Sequence, residues 1–461
     1  MSRENDETRP RNPSNPSGPV PRRVPGGPVF ALIAIALFAF NLRTAISGFT
    51  PVLELVRTDI GFSDAGAGII GAIPTAVFSV TAFASNRVLR GLSQELVLFL
   101  GAIVSTAGIV LRSFSDSLPA LIVTMIAAVA GLGFGNVVLI PVVKRYFPRR
   151  IGVVTGMYTS AMQVGAIISP IVAAGLAAVF SWREGAGVWA IPIALAAVVW
   201  GVQWGIVRRR TRAERELAAA EDEAARASFD RHDPATGPIT LAALEVDTEL
   251  PASERHVPFS AMLRSPIGWG VALLLAMNAL SSYSLFTWVP RIFVDYGETL
   301  GFGANMVALI SVWALVGAFV VPVLTVRVRQ PYVLVVTIAL IYGAGMIGLL
   351  AAPLAAPLLW ISLIALGLNI FPLVLTIMNL RTRTSAGSAA LSGFGQGTAY
   401  AIASIGPVGM GLLHTATGSW TAPLLALVGT MAFTLVGGWF VCRPRFLEDE
   451  PAVAAALATR G

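Results

Sequence analysis

The sequence predicts an all-α membrane protein, with twelve transmembrane helices in two parallel-repeat six-helix bundles. Three observations carry that expectation. Of 461 residues, 55% are hydrophobic and only 12% are charged, where a soluble domain carries about 25% charged residues. Apolar runs long enough to cross a bilayer recur along the whole chain. An outer-membrane barrel has alternating segments of about ten residues instead. Finally, landmark residues of the first half return in the second at one constant spacing.

Residues 1–27 are rich in Pro, Asn and Arg and lack the apolar core and cleavage site of a signal peptide. They read as a disordered cytoplasmic tail. The first bundle, 28–206, has helices beginning near Val29, Ala67, Leu96, Pro119, Ile151 and Gly187. Its second helix carries Pro74, which membrane helices tolerate because neighbours re-satisfy the backbone. Residues 207–264 open with the charged, helix-prone run RRRTRAERELAAAEDEAARASFD and read as a cytoplasmic linker. The second bundle, 265–442, has helices beginning near Pro266, Ala304, Pro331, Pro357, Ala389 and Thr421. Residues 443–461 form a second cytoplasmic tail.

Net charge is +7. The basic residues sit in short gaps between apolar runs, where they orient helices rather than bind nucleic acid. One set of gaps holds clusters: Arg87 with Arg90, Lys144 to Arg150, Arg208 to Arg212, Arg327 with Arg329, Arg381 with Arg383, Arg443 with Arg445. The alternate gaps hold isolated Arg57, Arg112, Arg183 and Arg291, often near acids. That asymmetry puts both termini in the cytoplasm and requires an even helix count. Cys442 is the single cysteine, so no disulfide forms within the chain.

Asn41 and Asn278 occupy matching places in helices one and seven. Lys144 and Arg381 end helices four and ten; Gly156 with Gly393, and Pro170 with Pro407, match in five and eleven. All four pairs share one offset, as parallel transporter repeats do.

Longer stretches carry a resemblance. NLRTAISGFTPVL, GLGFGNVVLIPVVKRYFPRRIGVVTGMYTSAM, YSLFTWVP, LGLNIFPLVLTIMNLRTRT and LSGFGQGTAYAIASIGPVGMGLLHTATGSW resemble the major facilitator superfamily. Within it they are similar to the cyanate/nitroimidazole permease family, over about Val29 to Cys442. The resemblance implies the major facilitator fold. It also implies secondary transport by alternating access across the cell membrane, of small anions or weakly acidic heteroaromatics, inward or outward. Two positions depart from the pattern. Asn278 stands where the family commonly has Gln, and Asn86 in ASNRVLRGLSQE lies where the superfamily usually has an Asp and a basic cluster.

Arg43 is the sharpest candidate, midway along the first helix. An Arg at mid-bilayer costs at least about 2.5–3.5 kcal/mol. Facing a wet cavity, its planar fork would bind a small anion. The other reading is that it snorkels or bonds carbonyls of a neighbouring helix. Asn41, two residues away, faces elsewhere, towards a neighbouring helix or the cavity rim. Gln396 and Tyr400 are four apart and share a face. Tyr158 and Gln163 in helix five, Asn136 in GLGFGN, Asn278, and Asn369 in GLNIFP complete the polar set. Such side chains either read a polar solute or glue helices together. Tyr283 and Trp288 cap the cavity, stack on a planar solute, or belong to an interfacial aromatic belt.

Glu54, Asp59, Asp116, Glu184, Asp295 and Glu298 all fall at outer ends or loops, none clearly in mid-membrane. Glu54 and His414 are the remaining candidates for proton coupling; otherwise the solute itself carries the coupling. No HExxH, paired carboxylates or His cluster suggests an enzyme, a metal or a cofactor, and no ATP-binding motif suggests a primary pump. The expected partners are a small-molecule solute and the bilayer, with the chain acting as a monomer. Two rivals are weighed. A multidrug-type exporter would want a buried acid in the cavity, and a non-transporting receptor or helper would not need matched halves.

Overall fold

The computed structural model describes residues 26–148, 150–229 and 257–458. The predicted tail before residue 26, the predicted linker between 230 and 256, Arg149, residues 459–461 and the side chains of Asn86 and Arg90 lie outside them.

The first half contains α1 (Pro28–Ser47), α2 (Leu53–Ile60), α3 (Asp64–Gly91) and α4 (Gln94–Arg112). It continues with α5 (Leu118–Tyr146), α6 (Ile151–Val179), α7 (Trp182–Gly187) and α8 (Ala190–Phe229). The second half opens with α9 (Phe259–Met262), α10 (Pro266–Asp295), α11 (Leu300–Arg327) and α12 (Pro331–Ala351). Then come α13 (Pro357–Gly367), α14 (Ile370–Leu380), α15 (Ser385–Ala403), α16 (Ile405–Thr417), α17 (Thr421–Cys442) and α18 (Pro451–Ala458).

Local chemistry sets many of the starts. Pro28, Pro266, Pro331 and Pro357 stand in the first turns of their helices, where the missing N–H is not needed. Ser63, Ser93, Ser265, Thr299 and Thr384 accept a backbone N–H from the first turns of α3, α4, α10, α11 and α15.

Among the described residues eleven helical segments are long and apolar enough to cross a membrane. The eleventh of the twelve predicted helices is the exception. It is present as α15 and α16, which meet at Ser404. Pro407 lacks the N–H that would bond the Ala403 carbonyl, so the helix is interrupted there. The tenth helix is likewise split, between α13 and α14 at Leu368 and Asn369. The sixth does not end at the membrane. It runs on as α8 through the charged stretch, supported by pairs Arg210–Glu214 at 2.9 Å and Arg212–Glu216 at 2.8 Å.

Two helix bundles result, each with its own apolar core. They meet where α3 packs on α15 and α16, and α6 on α11. Large apolar side chains such as Val153, Val179 and Leu340 remain exposed, as lipid-facing surfaces require. The chain is a multi-pass membrane protein. The end of the bundle remote from the chain termini is called the distal face below.

The repeat has a packing counterpart. Asn41 donates to the Leu37 carbonyl at 2.8 Å and to Pro192 of α8 at 3.1 Å, so it ties the first helix to the sixth. Asn278 on α10 likewise borders α17, the twelfth, in a small cavity with Ser281, Tyr342, Thr430 and Thr434.

Candidate functional site

α1 delivers Arg43 to the junction of the halves. Phe40 and Thr44 mark the face of α1 that α6 covers so closely that a Cβ on Gly165 would lie 2.3 Å from the Phe40 carbonyl oxygen. Arg43 sits about 100° round the helix from Thr44, clear of that contact. Its Nη1 donates to the Tyr283 hydroxyl on α10 at 3.3 Å. Its guanidinium carbon lies 5.7 Å from the same ring's centre, within cation–π range. No carboxylate among the described residues lies within ion-pair distance of Arg43.

The aromatic wall continues. Tyr283 meets Tyr400 edge-on, with centroids 6.4 Å apart, and Tyr400 meets Phe78 edge-on at 5.7 Å. Thus α1 and α3 of one half face α10 and α15 of the other around one guanidinium. Tyr283 also borders an apolar cleft lined by Phe49, Ile70, Met125, Phe286 and Thr287. The arrangement offers a half-buried cation with unused N–H donors beside π faces, which suits a small planar or linear anion.

The other predicted residues divide. Gln396 donates to Ser392 at 2.8 Å, and its carbonyl oxygen accepts no hydrogen bond among the described residues. Asn136 and Tyr158 are half-buried and make no side-chain hydrogen bond among the described residues. Gln163 on α6 donates to the Ser311 carbonyl of α11 at 3.4 Å and bridges the halves. Asn41 is fully buried against α8 and faces away from Arg43. Asn278 lies inside the second bundle, its Oδ1 buried without a partner. Asn369 stands at the break in the tenth helix, where its amide donates to the Ala365 carbonyl at 3.0 Å and to Trp313 of α11 at 3.3 Å. Trp288 is buried inside the protein rather than set in an interfacial aromatic belt. It is 1% exposed, and its indole N–H donates to the Pro407 carbonyl at 2.9 Å, which fixes the break in the eleventh helix.

The two coupling candidates meet at the distal face. Glu54 takes Arg57 of its own α2 at 2.6 Å and also pairs with Arg291 of α10. His414 on α16 places Nδ1 3.0 Å from Asp64 of α3 and Nε2 4.0 Å from Asp295 of α10. Arg57 approaches Asp64 at 3.6 Å, and Arg291 holds Asp295 at 2.6 Å. This network bolts the two halves together distally.

Two charged residues have environments that the sequence does not reveal. Arg112 is not a loop residue near an acid: it is 0% exposed. It donates to the Ala45 carbonyl at 3.0 Å, the Met125 sulfur at 3.2 Å and the Ala186 carbonyl at 3.2 Å, and covers Phe49 at 4.3 Å. Glu95 is also fully buried, accepting from Tyr146 at 2.7 Å and Arg145 at 3.2 Å. Both lie at helix ends, the one sequence cue being the Ser93 cap just before Glu95.

The Major Facilitator Superfamily profile matches residues 31–405. The chain is 26% identical to the uncharacterized transporter YycB of Bacillus subtilis (strain 168), over 90% of this chain and 94% of that protein. It is 25% identical to the 2-nitroimidazole transporter of Escherichia coli (strain K12), over 87% and 92%. With the cyanate transport protein CynX of the same organism it shares 22%, over 88% and 96%. Among solved structures, a POT peptide transporter in complex with sulfate superposes with a TM-score of 0.66 at 16% identity, over 90% of this chain and 95% of that one. That likeness speaks for the fold. The chain belongs to the Major Facilitator Superfamily and is a membrane transporter, not an enzyme.

Proposed function

We propose that the protein moves a small anionic or weakly acidic solute, of the cyanate or nitroimidazole kind, across the cell membrane by alternating access. One observation carries the reading. Arg43 is half-buried at the junction and, among the described residues, holds a single long hydrogen bond and has no carboxylate partner. A guanidinium in such a place is costly unless a mobile anion supplies the countercharge. The Tyr283 and Tyr400 rings favour a flat solute. Asn136, Tyr158 and Gln396 contribute polar atoms to its surroundings. Relatives named for 2-nitroimidazole and for cyanate support this choice of solute class.

In this reading the bundles 28–206 and 265–442 rock about the Arg43 level, joined by 207–264. The clusters of Arg put both termini in the cytoplasm, so the distal face is extracellular. A single chain holds the whole site, and a monomer suffices.

The test is uptake of labelled cyanate and 2-nitroimidazole into vesicles holding purified protein, with Arg43→Gln alongside. Saturable flux lost in the folded variant is the expected result. Flux unchanged in the variant makes Arg43 structural and overturns the assignment.

A further inference from the structure

We infer that the distal end of the junction is a proton-operated bolt, in which His414 must carry a proton for the two halves to close. The inference rests on the alternating-access reading, because closure is the movement it controls.

The charge count points to it first. The network holds three carboxylates, Glu54, Asp64 and Asp295, against two guanidinium groups, Arg57 and Arg291. A protonated His414 makes it neutral. Ring geometry points the same way. Nδ1 faces Asp64 at 3.0 Å and Nε2 faces Asp295 at 4.0 Å. A neutral imidazole has one N–H and one lone pair, so one nitrogen would turn its lone pair on a carboxylate. The imidazolium donates to Asp64 from Nδ1 and turns its second N–H towards Asp295 as an ion pair at 4.0 Å. Trp420 reinforces this. Its ring stacks on His414 at 4.0 Å with planes 24° apart, and its N–H donates to the Asp295 oxygen that Nε2 faces, at 3.0 Å. The stack holds the imidazole in place between Asp64 and Asp295. Asp64 Oδ1 is buried without a hydrogen-bond partner, so this carboxylate depends on the charges around it.

The groups around His414 are Asp64 from α3, Glu54 and Arg57 from α2, and Arg291 and Asp295 from α10; α17 presents Trp420. Tyr296, which ends α10, is pushed up by burial and then by Asp295, and keeps its proton. Imidazole is the side chain in this set whose charge ordinarily changes between about pH 5 and 8. His414 and Asp64 belong to opposite halves, so distal opening must part them. Closure therefore takes up a proton, and a proton favours closure by the same factor. The sign is fixed: acid on the distal side holds the bolt, and the hold fades as pH rises.

The test needs no solute. Full-length protein carrying Cys442→Ser, Thr58→Cys and Thr417→Cys, the latter two at exposed distal positions of opposite halves, is spin-labelled in lipid nanodiscs. Electron–electron distance measurements then report distal opening. Lowering the pH from about 8 to about 5.5 should raise the closed-to-open ratio severalfold. His414→Gln should flatten this response, and the permanently charged His414→Arg should keep the short distance at both pH values. A wild-type distance independent of pH, or a response surviving in His414→Gln, overturns the bolt. The solute reading fails separately, as absent flux with an intact pH response.

Discussion

The Arg43 guanidinium on α1 donates to the Tyr283 hydroxyl on α10 at 3.3 Å, so the candidate site itself ties one half to the other. Arg43→Lys keeps the charge and loses the planar fork. Vesicle uptake should fall at least about tenfold with the protein still folded. Tyr283→Phe removes one hydrogen bond to a charged group, and KM should rise about fivefold to tenfold with little change in Tm.

Arg112 is the contrasting arginine, wrapped by carbonyls inside the first bundle. Arg112→Ala leaves the Ala45 and Ala186 carbonyls without this donor and opens a void. The expected loss is about 3 kcal/mol of stability. Thermal unfolding in detergent would register it. Arg112→Met, which refills the volume, should recover part of the loss but not all.

Gly68 on α3 packs directly against the broken eleventh helix at the distal junction. A Cβ there would lie 2.7 Å from the Pro407 carbonyl oxygen and 2.9 Å from Val408 Cα, both backbone atoms that have nowhere to move. Gly68→Val should hold the distal side open. In a Cys442→Ser background, a cysteine introduced by Thr50→Cys would then react faster with an impermeant maleimide. Gly156→Ala, where a Cβ meets nothing within 4 Å, should leave that rate unchanged.

The carboxyl-terminal segment is a structural part of the second bundle. Glu448 accepts from the Thr384 N–H at 3.0 Å, Glu450 from the Ile267 N–H at 3.1 Å, and Leu447 and Val453 are fully buried. Truncation after Arg445 removes partners from the starts of both α15 and α10. Tm should fall by several degrees, and Glu450→Ala alone should cost about 1 kcal/mol.

Much of the fold was legible. Apolar runs and first-turn prolines located the helices, and the constant offset exposed the repeat. Arg43 stood out because charge in mid-membrane is costly. The facing of individual polar residues was not legible. Where a helix is apolar all round, no stripe marks its inner side, so Asn41, Asn369 and Trp288 read like Tyr400. Their roles became visible only through partners distant in the chain, such as Pro192 for Asn41 and Pro407 for Trp288. The same holds for His414 and Asp64, which lie 350 positions apart, one in the last turn of α16 and the other opening α3.

The length of α8 has a mechanical consequence. From Val207 to Phe229 the helix continues without interruption, about 33 Å at about 1.5 Å per residue. It is a lever arm rooted in the first bundle. A rotation of about 15°, the size of other rigid-body switches, would sweep its tip through about 9 Å. Under the proposed alternating access, each cycle would be magnified into a displacement at the tip of α8, and a fluorophore there would follow it.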